Sequence, residues 1–143
     1  MLLSDSNNVT VAVKYYDDSE DTPNVEKGNR MIIHVAQQYF YNYFYILRLG
    51  RNSGTDIIVV TKEDGKIYAV AECKNFSQFT RENKPQYISS KDFKRDMDNL
   101  NLFDKLPNVK KYYFISYESI INIEQKELLK FNNIELKVIG YEP

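Results

Sequence analysis

The chain has 143 residues, of which 43% are hydrophobic and 27% charged, and its formal net charge is -1. This size and composition are typical of one globular domain with a single core. Every apolar run is shorter than the roughly 20 residues that a bilayer requires, and the residues after Met1 do not form an export signal. We therefore expect a cytoplasmic, non-secreted protein without a membrane partner. One cysteine, Cys73, excludes an internal disulfide, and with a single histidine it leaves no ligand set for structural zinc.

Charge is distributed unevenly along the chain. Residues 1–26 contain one basic and six acidic side chains, whereas residues 70–111 contain nine basic and six acidic ones. A basic stretch can follow a phosphate backbone, because neutralised phosphates release counterions. A solvated helix face is the simpler interpretation of the charge pattern alone.

Apolar periodicity and turn signals predict the secondary structure in chain order. The expected elements are a strand at 9–15, an acidic loop at 17–24, a helix at 25–42, a strand at 45–49, a hairpin at 56–75, a loop at 75–88, a helix from Ser89 or Ser90 to about 106, a strand at 112–117, a helix at 124–131 and a strand at 135–141. Helices and strands in this order predict a mixed sheet flanked by helices.

The hairpin brings together three side chains that are far apart in sequence. Asp56 begins its first strand, and Glu72 and Lys74 end its second, so antiparallel pairing returns all three to one end. Alternation along a strand places Glu72 and Lys74 on one face and Cys73 on the other. Taken singly, each has a structural explanation, as a turn residue or an exposed charge. Together they predict a site that holds a divalent metal beside a phosphate.

The segments Gly54-Thr55-Asp56 and Glu72-Cys73-Lys74, on either side of the hairpin, resemble two motifs of the PD-(D/E)XK nucleases. This restriction-endonuclease-like superfamily includes Holliday junction resolvases. Thr55 stands where a literal motif has proline, a departure that is common in the family. The resemblance covers residues 25–117 and implies an α/β fold with an αβββαβ core. Residues 1–143 would then form one domain, with an N-terminal strand and acidic loop at 1–24 and a C-terminal helix and strand at 118–143.

The resemblance also implies an activity, that of a magnesium-dependent deoxyribonuclease and hydrolase. Asp56, Glu72 and the backbone carbonyl of Cys73 would bind Mg²⁺, with Mn²⁺ as a substitute, and an activated water would attack the phosphodiester. Glu26, near the start of the first helix, would complete the metal site, although the helix dipole favours an acidic residue there in any case. Lys74 would orient the water and stabilise charge on the phosphate. Neighbouring carboxylates favour a protonated lysine, so positioning is expected rather than base catalysis.

Contacts to DNA are expected from basic and polar residues close to the site. They are Arg51, Ser53, Arg81, Lys84, Lys91, Lys94 and Arg95. An endonuclease is favoured over an exonuclease, and cutting both strands would imply a homodimer. The alternative is a non-catalytic nucleic-acid- or protein-binding module that retains the nuclease fold.

Overall fold

The computed structural model of the protein describes residues 2–4, 9–14, 23–49 and 54–141. Within these residues the chain forms seven strands, three α-helices and one short 3-10 helix. In chain order they are β1 (Leu2–Ser4), β2 (Val9–Lys14), α1 (Pro23–Tyr39), β3 (Phe44–Leu49), β4 (Ile57–Val60), β5 (Ile67–Lys74), α2 (Ser90–Asn101), β6 (Lys110–Ile115), the 3-10 helix (Glu118–Ile120), α3 (Ile123–Phe131) and β7 (Ile134–Val138).

All seven strands belong to one mixed sheet, and their order across it follows their order in the chain. The pairs β1–β2, β3–β4 and β4–β5 are antiparallel, while β2–β3, β5–β6 and β6–β7 are parallel. The α/β class and the mixed sheet flanked by helices are therefore as predicted. The short strand β1 and the 3-10 helix were not predicted.

The helices cover opposite faces of the sheet, and each face has its own core. On one face α1 packs against β3, β4 and β5 through side chains that include Val35, Leu47 and Ala71. On the other face α2 and α3 pack through side chains that include Phe93, Leu129 and Val70. Adjacent Val70 and Ala71 point into different cores because successive side chains of a strand face opposite ways. From Val70 to Lys74, the even-numbered residues of β5 therefore face α2, whereas Tyr68, near the register shift at Val59 and Val60, packs on the α1 side.

Local signals explain where the helices begin. Helix α1 starts at Pro23, two residues earlier than predicted, and proline suits a first helical position because its missing N–H has no partner there. The side chain of Ser89 accepts a hydrogen bond from the backbone of Asp92 and caps α2. Helix α3 has a full capping box, in which Asn122 and Gln125 bond each other's backbone N–H groups.

The predicted end of α2 was wrong by five residues, because the helix stops at Asn101 rather than near Leu106. Beyond it, Phe103 donates its backbone N–H to Leu100 and Asp104 donates to Asn101, so these residues form tight turns. Asn108 then has a φ of 64°, a left-handed conformation that asparagine tolerates. Apolar spacing continues through these turns, which explains the overextended prediction.

Other predicted boundaries differ by only a few residues. The predicted acidic loop falls largely on residues 15–22, which lie outside the described part of the chain. Over the described residues, the chain has no helix with the length and hydropathy needed to cross a bilayer.

Candidate active site

The register of the β4–β5 hairpin determines how the predicted carboxylates meet. Ile57 pairs with Ala71, so Asp56, one residue before β4, lies directly opposite Glu72. The carboxyl groups of these two residues hydrogen-bond to each other. Asp56 Oδ2 also accepts the backbone N–H of Cys73 at 2.8 Å. The juxtaposition expected from the sequence is therefore present, on the face of the sheet covered by α2.

Burial makes this carboxyl pair costly when both members are ionised. Desolvation raises the pKa of Asp56 to about 6, although hydrogen bonds from Glu72 and from the Cys73 N–H partly oppose the shift. Glu72 is only 3% exposed, and burial followed by the charges of Asp56 and Asp96 raises its pKa well above the usual value. Two close carboxylates of this kind require a shared proton or a cation.

Lys74 lies beside the pair, on the same face, but its ammonium contacts a third carboxylate. Its Nζ is 3.2 Å from Asp96 Oδ2, and the two side chains are 14% and 4% exposed. Tyr113, on β6, donates its hydroxyl hydrogen to the same Asp96 oxygen at 2.7 Å. Burial raises the pKa of Asp96, while Lys74 and then Tyr113 oppose that shift. Asp96 therefore fixes the position of the lysine from the side of α2.

Helix α2 also holds the segment that leads into Asp56. Asn99 donates its side-chain amide to the Gly54 carbonyl at 3.4 Å, and Thr55 donates its hydroxyl to the Asn99 carbonyl at 3.4 Å. Asn99 also hydrogen-bonds to Glu72 and favours its ionised form. Gly54 has a φ of 123°, and the guanidinium of Arg48 occupies the place where a Cβ would lie. Glycine at this position lets the chain turn so that Asp56 reaches Glu72.

One oxygen of the carboxyl pair has no protein partner. Glu72 Oε1 is buried and accepts no hydrogen bond. An orphaned carboxylate oxygen next to a second carboxylate fits a hard divalent cation, which prefers oxygen ligands. Within the described residues no three His, Cys, Asp or Glu side chains are grouped to hold a metal. Mg²⁺ usually takes one or two carboxylates together with water and phosphate oxygens, so Asp56 and Glu72 suit that mode.

The remaining predicted metal ligands are placed less directly. Glu26 is exposed in the first turn of α1. Within the described residues, its carboxylate does not contact Asp56 or Glu72. The beginning of α1 does lie near the end of β5, since Asn75 donates its side-chain amide to the Lys27 carbonyl at 3.3 Å. The Cys73 side chain packs toward the α1 core, as expected. Its backbone contact with Asp56 uses the N–H, and the ligand role of its carbonyl stays a prediction.

The predicted DNA contacts divide into three groups. Arg51 and Ser53 lie outside the described residues. Three basic residues are exposed on α2, namely Lys91, Lys94 and Arg95. Lys94 forms an ion pair with Asp98 at 2.8 Å, and Arg95 forms one with Asp92 at 3.5 Å. Carboxylates of the same helix therefore offset two of the three positive charges. Arg81 and Lys84 are exposed in the segment that follows Lys74.

That segment is a small hydrogen-bonded hairpin, which the sequence did not predict. Thr80 donates its backbone N–H to Lys84 at 2.7 Å, Gln86 donates to Gln78 at 3.1 Å, and Asn83 turns the chain with a φ of 61°. Phe79, one residue from Thr80, is 53% exposed. The hairpin, a few residues after the end of β5, therefore carries an exposed aromatic ring and two exposed basic side chains.

Sequence reasoning missed Asp96, the residue that binds Lys74. A signal was available, because Phe93 and Leu100 define the buried stripe of α2 and Asp96 lies between them at helical spacing. An acidic residue on an apolar stripe indicates a buried partner. Asn99 gave no such signal, since its contacts depend on how α2 docks.

Comparison with protein-family models, with curated proteins and with solved structures finds no match to this chain.

Proposed function

We propose that the protein is a metal-dependent nuclease that hydrolyses DNA phosphodiester bonds, and that it acts as an endonuclease. The observation that carries the proposal is the opposition of Asp56 and Glu72, with one buried oxygen of Glu72 unpartnered, next to Lys74. A structural role alone does not explain this arrangement, because pairing two buried carboxylates across a hairpin destabilises the fold. A phosphate also repels carboxylates unless a cation lies between them.

The side chains have distinct roles in this proposal. Asp56 and Glu72 would hold Mg²⁺ or Mn²⁺, and the ion would polarise the scissile phosphate and acidify a water. Asn99 and the Cys73 N–H orient the two carboxylates. Lys74 carries the positive charge that stabilises the phosphate during attack.

Asp96 and Tyr113 hold that lysine in place. Because Asp96 binds Nζ from the α2 side, the lysine stays on the face of the sheet where Glu72 lies. The contact of the Lys74 ammonium with Asp96 at 3.2 Å supports a positioning role for this lysine. We treat Asp96 as a positioning residue, since it acts through Lys74.

In this proposal the hairpin after β5 supplies a surface for the nucleic acid. Arg81 and Lys84 are exposed there and would contact phosphates, while the ring of Phe79 is available for stacking on a base. Lys91 would extend this basic surface along α2. We expect the paired Lys94 and Arg95 to contribute less to affinity.

Cleavage assays with matched variants test the proposal. Linear duplex, single-stranded and four-way-junction DNA would be incubated with the protein in Mg²⁺, Mn²⁺ or EDTA. We expect metal-dependent cleavage that falls at least about 100-fold in Glu72→Gln and in Lys74→Met, as for loss of a group that stabilises transition-state charge. Glu63→Gln, which changes an exposed carboxylate in the hairpin turn, should retain full activity.

Metal binding provides a readout that is independent of activity. Mg²⁺ should raise the melting temperature of the wild-type protein, because a ligand of the folded state stabilises it. Glu72→Gln should abolish that shift and Glu63→Gln should keep it. Cleavage that survives Glu72→Gln would refute the site. DNA binding without cleavage in either metal would instead support the non-catalytic module.

A further inference from the structure

Strand β7 is an edge strand with an unpaired side. Its neighbour on one side is β6, and among the described residues no strand lies on the other. An exposed row of backbone N–H and C=O groups is a template for pairing with another strand. The side chains of such a strand determine whether it resists pairing or favours a particular partner.

The backbone of β7 defines which residues can bond outward. Ile139, just beyond the strand, donates its N–H to Ile115 on β6 at 3.0 Å, so odd-numbered residues point their polar groups at β6. Even-numbered residues alternate with them and point theirs away from the sheet. Ile134, Leu136 and Val138 therefore present outward N–H and C=O groups.

The side chains of the odd-numbered residues carry opposite charges. Glu135 Oε2 is 3.2 Å from Lys137 Nζ, and these side chains are 58% and 42% exposed. Charged side chains, especially lysine, and proline usually oppose the association of edge strands. A Glu and a Lys placed symmetrically about Leu136 form instead a self-complementary pattern.

Charge selects one register for an antiparallel pair of two such edges. Pairing centred on Glu135 would place this glutamate opposite the same glutamate of the partner, and pairing centred on Lys137 would place two lysines opposite each other. Like charges repel in both registers. Pairing centred on Leu136 places Glu135 opposite the partner's Lys137 at both ends. It also places Ile134 opposite the partner's Val138, so every outward backbone group has a partner and about six hydrogen bonds can form.

We propose that β7 pairs with β7 of a second copy of this chain, antiparallel and centred on Leu136, to give a twofold-symmetric dimer with a continuous sheet. An interface of this size is small, so the dimer forms at micromolar concentrations and is weakened by salt. The twofold axis passes through the sheet and reverses the strand direction. Glu72 is in register with Tyr113 on β6, and Tyr113 with Leu136, so the two copies of Glu72 lie level with the axis on either side of it. Five strand spacings separate them, roughly 24 Å, and seven spacings, roughly 34 Å, separate the two copies of Asp56 beside β4.

The proposed dimer does not depend on the proposed function. The two copies of Glu72 lie on the same face of the continuous sheet, because residues opposed in an antiparallel pair point their side chains to one face. The homodimer expected from the sequence for double-strand cutting stays a prediction.

Sedimentation velocity over a range of about 1 to 200 μM tests the pairing with a charge-swap series. The wild type should show reversible dimerisation. Lys137→Glu should weaken it roughly 10- to 100-fold, because it turns two attractive cross-strand pairs into repulsive ones. Glu135→Lys should do the same, and the double variant Glu135→Lys with Lys137→Glu should restore dimerisation. Lys66→Glu makes the same charge change in the exposed turn between β4 and β5, two strands away from β7, and should have no effect.

Val138→Pro tests the backbone bonds separately. The substitution removes a backbone N–H that points away from β6, and the Val138 side chain is 46% exposed, so the fold should stay intact. Far-UV circular dichroism should therefore be unchanged, while dimerisation is lost. A wild type that stays monomeric throughout the range would overturn the proposal. A dimer that persists in Lys137→Glu, or one that the double variant does not restore, would also overturn it. Cleavage measured on the same variants separates the two proposals, since monomeric variants should still cut DNA if the nuclease assignment holds.

Discussion

Replacing Asp56 with Asn should stabilise the metal-free protein at neutral pH, although the residue belongs to the proposed active site. Burial raises the pKa of its carboxyl from 3.8 to about 6. Because the folded-state value is the higher one, folding takes up a proton between about pH 4 and pH 6, and stability falls as the pH rises through that range. The full shift corresponds to about 3 kcal/mol, and partial solvent exposure of Asp56 reduces the expected effect to about 1–3 kcal/mol.

Urea unfolding in EDTA at pH 4, 5, 6, 7 and 8 measures this effect. The chain has twelve tyrosines and no tryptophan, so far-UV circular dichroism and tyrosine fluorescence are suitable probes. Asp56→Asn should gain stability over the wild type as the pH rises from 4 to 6 and keep that gain above it. Saturating Mg²⁺ should reduce or reverse the difference, because the cation replaces the missing proton only in the wild type.

Exposed carboxylates provide the control for this experiment. Glu63→Gln should change the free energy of unfolding by less than about 0.5 kcal/mol at every pH. If Asp56→Asn is less stable than the wild type at pH 8 in EDTA, then burying the ionised Asp56 carboxylate is not the dominant effect of this residue on the free energy of unfolding. A gain that does not depend on pH would also contradict the reasoning, because only titration of the carboxyl produces the predicted slope.

Two further substitutions test how the site is held. Gly54→Ala should lower the free energy of unfolding by about 1–3 kcal/mol and reduce cleavage, since it places a side chain at a φ of 123° and against the Arg48 guanidinium. Gly28→Ala, inside α1 with open space where its Cβ would lie, should leave the free energy of unfolding unchanged or raise it by up to about 1 kcal/mol. Chemical denaturation of both variants measures the contrast, and equal effects would mean that the backbone conformation at Gly54 is not required. Asp96→Asn should cost about 2–4 kcal/mol because it leaves Lys74 without its ion partner, and adding Lys74→Met should recover part of that loss. A double variant no more stable than Asp96→Asn would show that the ion pair does not carry the effect.

The elements with strong local signals were predictable, and the errors fall where local signals mislead. Ser89 marked the start of α2 because its side chain caps the helix without help from the rest of the fold. The end of α2 was overextended because apolar residues such as Phe103 continue the spacing through turns that are not helical. The hairpin after β5 was missed because its hydrogen bonds involve residues without clear periodicity.

The candidate site shows the same division. Asp56, Glu72 and Lys74 were predictable as neighbours, since a hairpin is a local structure and strand alternation fixes which side chains share a face. The partner of the lysine was not, because Asp96 reaches it from a helix that docks across the sheet from a distant part of the chain. The sequence also could not show that Lys94 and Arg95 have acidic partners on their own helix, although their spacing allowed it.

By itself the sequence determined the order and type of the elements, the hairpin and the meeting of its two carboxylates, because each depends on periodicity and turn chemistry within a short stretch. Only the tertiary structure decided how deeply those carboxylates are buried, which residue holds Lys74, and that β7 lies at an edge with self-complementary charges. Burial and edge position depend on which elements pack against which, and packing joins residues that no local pattern connects.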